Sequence, residues 1–167
     1  MKILYCIGIL ILFSASSQSQ STTVYSFKLD TISHAKQIDF SGFSGKKILI
    51  VNAGRLHPDF NYSQWEQLKS LQAQHNNLLI IILPSTEITD NEVAAFFQHT
   101  SFPLVVCSKS TANKSTVNEL YNWLGQKSSN GLIDVNSQAV LQKYLINEQG
   151  KLIEVFSPSG VTIIRSN

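Results

Sequence analysis

The side chains in this sequence best suited to covalent or metal chemistry are few. There are two cysteines, Cys6 and Cys107, and four histidines, His34, His57, His75 and His99. No two histidines stand at the His-x3-His step that puts two imidazoles on one helix face. No metal and no other cofactor is therefore expected. Cys107 closes the apolar run Phe102-Pro103-Leu104-Val105-Val106-Cys107. A thiol reacts as its thiolate and needs an exposed, electropositive setting. An apolar strand gives a buried and inert cysteine instead. His57 lies in Arg55-Leu56-His57-Pro58-Asp59, and Glu87 follows Leu83-Pro84-Ser85-Thr86. An imidazole beside a carboxylate can do general acid–base work or hold a cation. His75 and His99 each close a helical stretch, where the helix dipole favours them without any further role. Asn61-Tyr62-Ser63 and Asn113-Lys114-Ser115 match the glycosylation acceptor pattern, which has meaning only in a eukaryotic secretory pathway.

The elements that must position these residues alternate in period. Residues 24–29 (VYSFKL) alternate polar and apolar side chains, with residues 36–40 as a hairpin partner. Residues 41–45 (SGFSG) form a turn cluster. Residues 47–51 (KILIV), 78–83 (LLIIIL) and 104–107 (LVVC) are short apolar runs of the kind found in buried parallel strands. Between them, residues 58–74 place Trp65, Leu68 and Leu71 at helical spacing, with Asn61 or Ser63 as the cap. Residues 90–99 form a second helix, capped by Asp90, with Val93, Phe96 and Phe97 on one face. Residues 117–124 (VNELYNWL) form a third, in which Trp123, like Trp65, is a packing residue. Residues 143–156 read as a hairpin turning at Gly150. Alternating strands and helices imply an α/β fold, a central sheet covered by helices.

Composition bounds the function. The chain has 167 residues, 43% of them hydrophobic and 14% charged, enough for one domain with a real core. Its net charge of +2 gives no electrostatic reason to propose a nucleic-acid partner. Met1-Lys2, the apolar run 3–13 and the small residues Ser14-Ala15-Ser16-Ser17 make the three-part pattern of a secretory signal. The run is too short to span a bilayer, so no stable membrane span is expected after cleavage. The expected organisation is a signal at 1–19, a polar tether at 20–23 and one domain at 24–167. Signal removal takes Cys6 and Lys2, leaves Cys107 as the lone thiol and brings the charge near +1. The destination is then secreted or periplasmic.

The order of these segments resembles the glutathione peroxidase branch of the thioredoxin-like superfamily, from about residue 24 to 163. Phe43-Ser44-Gly45-Lys46-Lys47-Ile48-Leu49-Ile50-Val51-Asn52 resembles its Y-x-G-K-v-x-L-I-V-N segment. Ser101-Phe102-Pro103-Leu104 and Leu120-Tyr121-Asn122-Trp123-Leu124 resemble the later Phe-Pro strand and the L-Y-x-W-L helix. Lys143-Tyr144-Leu145-Ile146 and Gly150-Lys151-Leu152-Ile153 resemble the closing hairpin. The resemblance implies a thioredoxin-like fold with a central mixed sheet, flanking helices and an N-terminal β-hairpin.

The family's chemistry does not follow its scaffold. The position of the peroxidatic cysteine or selenocysteine falls on His57, or on Pro58 after a one-residue shift. The family's Gln falls on Glu87, and its Trp-Asn pair near Ala139-Val140. Peroxide reduction by this route needs a thiolate that becomes a sulfenic acid, which none of these replacements can do. If the fold carries over, His57 and Glu87 follow neighbouring strands at the edge where open α/β sheets place ligands. Arg55, His57, Asp59 and Glu87 are then a candidate pocket. The expectation is a family member that has lost peroxidase activity and binds a small ligand or a protein there. The alternative is a residual activity that uses Cys107 or the His57/Glu87 pair.

Overall fold

Strand β3, Lys47–Gly54, is the centre of the sheet, and its sequence explains why. Ile48 and Ile50 are buried on one face, and Leu49, Val51 and Ala53 on the other, so the run is apolar on both sides. In the computed structural model, which describes residues 22–31, 37–54, 62–84, 89, 91, 105–106, 114–137, 141–157 and 163–164, β3 pairs in parallel with β4, Leu78–Pro84. Its other side pairs antiparallel with β6, Lys143–Ile146. Strand β5, Val105–Val106, lies parallel to β4. Strands β7, Leu152–Phe156, and β8, Ile163–Ile164, extend the sheet beyond β6 in antiparallel pairs. Among the described residues the mixed sheet runs β5-β4-β3-β6-β7-β8.

A helix covers each face. Helix α1, Tyr62–Gln74, lays Leu68 and Leu71 against Leu49, Val51, Ile80 and Ile82. Helix α2, Lys114–Gly125, buries Val117, Leu120, Tyr121 and Leu124, the i, i+3, i+4, i+7 stripe of an amphipathic helix. They pack on Ile48, Ile50, Ile81, Leu83 and Tyr144, with Trp123 2% exposed in the same core. Trp123 is the packing residue its sequence setting predicts. Trp65 lies outside the residues whose side chains are described. A short helix α3, Lys127–Asn130, follows α2 and stops at Gly131, whose φ of 78° is open to glycine without strain.

The N-terminal hairpin exists but is shorter than expected. β1 is Lys28–Asp30 and β2 is Gln37–Asp39, paired antiparallel as Lys28↔Asp39, Leu29↔Ile38 and Asp30↔Gln37. The strand expected from residue 24 instead begins as a 3-10 turn, Val24–Ser26. Val24 and Phe27 are both buried, and a spacing of three faces one side only in that turn. A second 3-10 turn, Phe40–Phe43, cuts β2 short, because the Asp39 carboxylate accepts from the Ser41 N–H at 3.0 Å and from its hydroxyl at 2.5 Å. The closing hairpin forms as expected, with Gly150 at φ 77° in its turn. Strand β8 was not anticipated. The helix expected over 90–99 lies outside the described residues, except that Asn91 is helical. Among the described residues no helix is long and apolar enough to cross a membrane.

Candidate functional site

The two strands at the centre of the sheet end side by side. Gly54, the last residue of β3, is the partner of Pro84, the last of β4. The segments that carry Arg55, His57 and Asp59 on one side and Glu87 on the other therefore depart from neighbouring points on one sheet edge. Those four residues, and Cys107 after β5, lie outside the described residues. Their mutual geometry is thus an expectation of the sequence alone. Among the described residues no group of three or more His, Cys, Asp or Glu side chains could hold a metal.

The described part of this edge is built around Asn52, which is 3% exposed. It interrupts the apolar run of β3 on the face of Ile48 and Ile50, where a polar side chain is costly unless bonded. Its Nδ2 donates to the Ser137 carbonyl at 3.4 Å, and its Oδ1 accepts from the Tyr121 hydroxyl at 3.4 Å. Its backbone N–H donates to the Gln142 carbonyl at 3.0 Å, and its carbonyl accepts from the Leu141 N–H at 2.7 Å. One residue thus ties α2, the segment after α3 and the start of β6 to the end of β3.

Three consecutive residues leading into β6 add to the picture. Leu141 has a φ of 65°, the only non-glycine residue in the left-handed region among those described. A branched side chain there is strained, and such strain gathers at functional edges. Gln142 is 7% exposed, and its Oε1 has no hydrogen-bond partner among the described residues. Lys143 is half-buried, and its Nζ donates to the Leu141 carbonyl at 3.1 Å. Burial holds its ammonium below the ordinary lysine pKa. One strand residue further on, burial pushes the Tyr144 hydroxyl up, and that hydroxyl has no partner among the described residues. Sequence reasoning did not single out Leu141, Gln142 or Lys143 as site residues. A polar Gln-Lys pair opening an apolar strand (LQKYLI) was the available signal.

The support of this edge reaches back through α3. Asn130, 5% exposed, donates from Nδ2 to the carbonyls of Trp123, Leu124 and Ile133 at 3.0, 3.2 and 3.0 Å. Its Oδ1 accepts from the N–H groups of Leu132 and Ile133 at 2.7 and 3.0 Å. That knot satisfies the C-terminal carbonyls of α2 and fixes the path of residues 131–137 toward Ser137.

No protein-family model matches the chain, and no curated protein matches it in sequence. Solved structures do share its fold. The crystal structure of Trgpx in apo form is 22% identical, with 84% of this chain and 88% of that one covered and a TM-score of 0.59. The Xanthomonas campestris bacterioferritin comigratory protein, described for alkyl peroxide reduction, is 10% identical over 82% and 83% of the chains at 0.56. A secreted Mycobacterium tuberculosis disulfide oxidoreductase homologous to E. coli DsbE is 11% identical over 84% of each at 0.54. The chain therefore has the thioredoxin-like fold expected from its sequence.

Proposed function

We propose that this chain is an exported, glutathione-peroxidase-like member of the thioredoxin-like superfamily that has lost thiol peroxidase activity. It serves as a binding or redox-associated module. The observation that carries this reading is the connection between β3 and α1. On a thioredoxin-like sheet this connection leaves the ligand edge, yet residues 55–61 (RLHPDFN) contain no cysteine. Arg55, His57 and Asp59 there, with Glu87 from the segment after β4, form a polar pocket for a small ligand or a protein partner. Nucleic acid is not the partner, because the net charge is only +2. Export rests on the apolar run 3–13 and on the small residues behind it.

The test is peroxide consumption by the purified chain without residues 1–19. Hydrogen peroxide and an organic hydroperoxide are each offered with glutathione and with a thioredoxin system. No turnover above a heat-denatured control is the expected result, and turnover overturns the loss of catalysis. A second reading has one observation in its favour. Cys107 directly follows β5, which runs parallel to β4 and so ends toward the same sheet edge. A Cys107→Ser variant separates the cases. Turnover lost in that variant makes Cys107 a relocated nucleophile, and turnover kept in it points to non-thiol chemistry and then to a bound metal.

A further inference from the structure

Among the described residues, one cation beside β3 lies outside the candidate pocket. Lys143 stands on β6 opposite Val51, and its side chain turns back so that Nζ reaches the carbonyl of Leu141 at 3.1 Å. Leu141 is itself bonded to Asn52, two residues before β3 ends. The ammonium is thus drawn toward the edge from which residue 55 departs. Among the described residues it has no carboxylate within ion-pair distance. Glu154 is the acidic residue on the same face of the adjoining strand, opposite Leu145 rather than Lys143, and it makes no ion pair with Lys143.

Lys143 is half-buried with no counter-ion among the described residues, which is unfavourable, and an arriving anion relieves the penalty. Burial alone accounts for the depressed affinity of this ammonium for its proton. The Leu141 N–H bond to the Asn52 carbonyl at 2.7 Å holds this residue at φ 65° and so fixes the carbonyl that accepts from Nζ. An ammonium has three donors, and the carbonyl uses one. Two donors and a single positive charge match a planar monoanion with two oxygens.

We propose that Lys143 is the cation of a carboxylate-binding site at this edge of the sheet. The proposal deepens the binding role given above and names the chemistry of its ligand. The carboxylate comes either from a small molecule or from the end of a peptide chain, and the two sources present the same group to Lys143.

The experiment follows the Lys143 Cε–Hε resonance, assigned with Lys143→Arg, in protein carrying 13C-lysine. Acetate replaces chloride at constant ionic strength. The expected result is a saturable shift of that resonance, together with a rise of the Lys143 pKa at saturation. Lys143→Met keeps the apolar stem and removes the charge. It is expected to weaken acetate binding, read from the backbone amides around Leu141 and Asn52, by about tenfold or more, and Lys143→Arg to retain most of it. N-acetyl-alanyl-alanine with a free and with an amidated C-terminus separates the sources. Tighter binding of the free acid than of acetate assigns a chain terminus, and equal affinity assigns a small carboxylate. A linear response that chloride reproduces, or an affinity unchanged in Lys143→Met, overturns the proposal. If Lys143→Met does not fold, the wild-type shift and pKa decide alone. Peroxide turnover alongside saturable acetate binding overturns the loss of catalysis and leaves Lys143 standing.

Discussion

Replacing Asn130 tests whether the knot behind the site does the structural work its geometry implies. Asn130→Ala removes five hydrogen bonds at 2.7–3.2 Å. It strips the half-buried N–H groups of Leu132 and Ile133 of their acceptor. A net hydrogen bond is worth about 1 kcal/mol, and a buried group left unpaired costs about 1–3. Water reaches some of the freed carbonyls, so the sum is about 3 kcal/mol. That is a large share of the roughly 5–15 kcal/mol that stabilises a domain, and lowers its Tm by roughly 10 °C. Asn130→Asp sharpens the test. It keeps the oxygen that Leu132 and Ile133 need, but aims a carboxylate oxygen at the carbonyls of Trp123, Leu124 and Ile133. The folded chain then raises that carboxyl above about 3.9, its ordinary pKa. Its penalty is absent below pH 4, grows as the pH rises and is complete above the folded pKa. Urea denaturation should therefore find Asn130→Asp less stable than Asn130→Ala at pH 7, with the gap closing toward pH 4. A loss below about 0.5 kcal/mol in Asn130→Ala, or no pH-dependent gap between the two variants, refutes the reasoning.

Three further outcomes follow from the structure. The Lys28 ammonium, 2.6 Å from Asp39, and the Ser41 hydroxyl and N–H hold the Asp39 carboxyl down at about 2. The stability this gives is complete above the unfolded pKa of 3.8 and is lost as pH falls through 2, so the Asp39 side-chain NMR titration should have its midpoint near 2 and move up in Lys28→Met. Gly150→Ala forces a side chain at φ 77° and places its Cβ 2.7 Å from the Tyr25 ring, and a cost of about 1–3 kcal/mol in denaturant titration is expected. Measured in a Tyr25→Ala background, the cost of Gly150→Ala should fall only part way, since the clash is gone and the backbone strain remains. Tyr144→Phe deletes a fully buried hydroxyl that has no partner among the described residues, so its stability should match or exceed that of the wild type by up to about 1 kcal/mol, and ultraviolet titration should show no tyrosinate from Tyr144 before unfolding.

Apolar periodicity made most of the sheet legible. Residues 47–51 and 78–83 could be read as buried strands because both faces of β3 and β4 are covered, leaving no polar alternation to confuse them. β3 continues through Asn52, Ala53 and Gly54, which have no strand signature of their own. Asn52 is held there by the backbone of Leu141 and Gln142, a partner distant in sequence that no local pattern announces. The 3-10 turn at Val24–Ser26 was misread for a related reason. VYSFKL alternates like a strand, and only the burial of both Val24 and Phe27 distinguishes a turn. Ile163–Ile164 is too short to carry a signal and becomes a strand through its pairing with β7. At the site, sequence chemistry led to His57, Glu87, Arg55 and Asp59 by their types. Lys143 and Leu141 matter through a backbone conformation and a desolvated setting, and neither is a property of residue type.

The N-terminal strap has a consequence for the order in which the molecule can be completed. Trp123 donates its indole N–H to the Thr22 carbonyl at 2.7 Å across 101 positions of chain. The Tyr25 hydroxyl donates to the Glu148 carbonyl at 2.6 Å across 123 positions, and the Val24 N–H donates to the Gly150 carbonyl at 2.9 Å. β3 likewise waits for β6, the antiparallel neighbour made almost a hundred residues later. During synthesis the Val24 and Tyr25 contacts of this strap therefore cannot close until the trailing hairpin has emerged. Contacts of such long sequence separation make closure slow, because loop entropy is lost before any packing is gained. The strap is a vectorial latecomer: β1 and β2 can pair early, but Val24 and Tyr25 find their places only when the closing hairpin does.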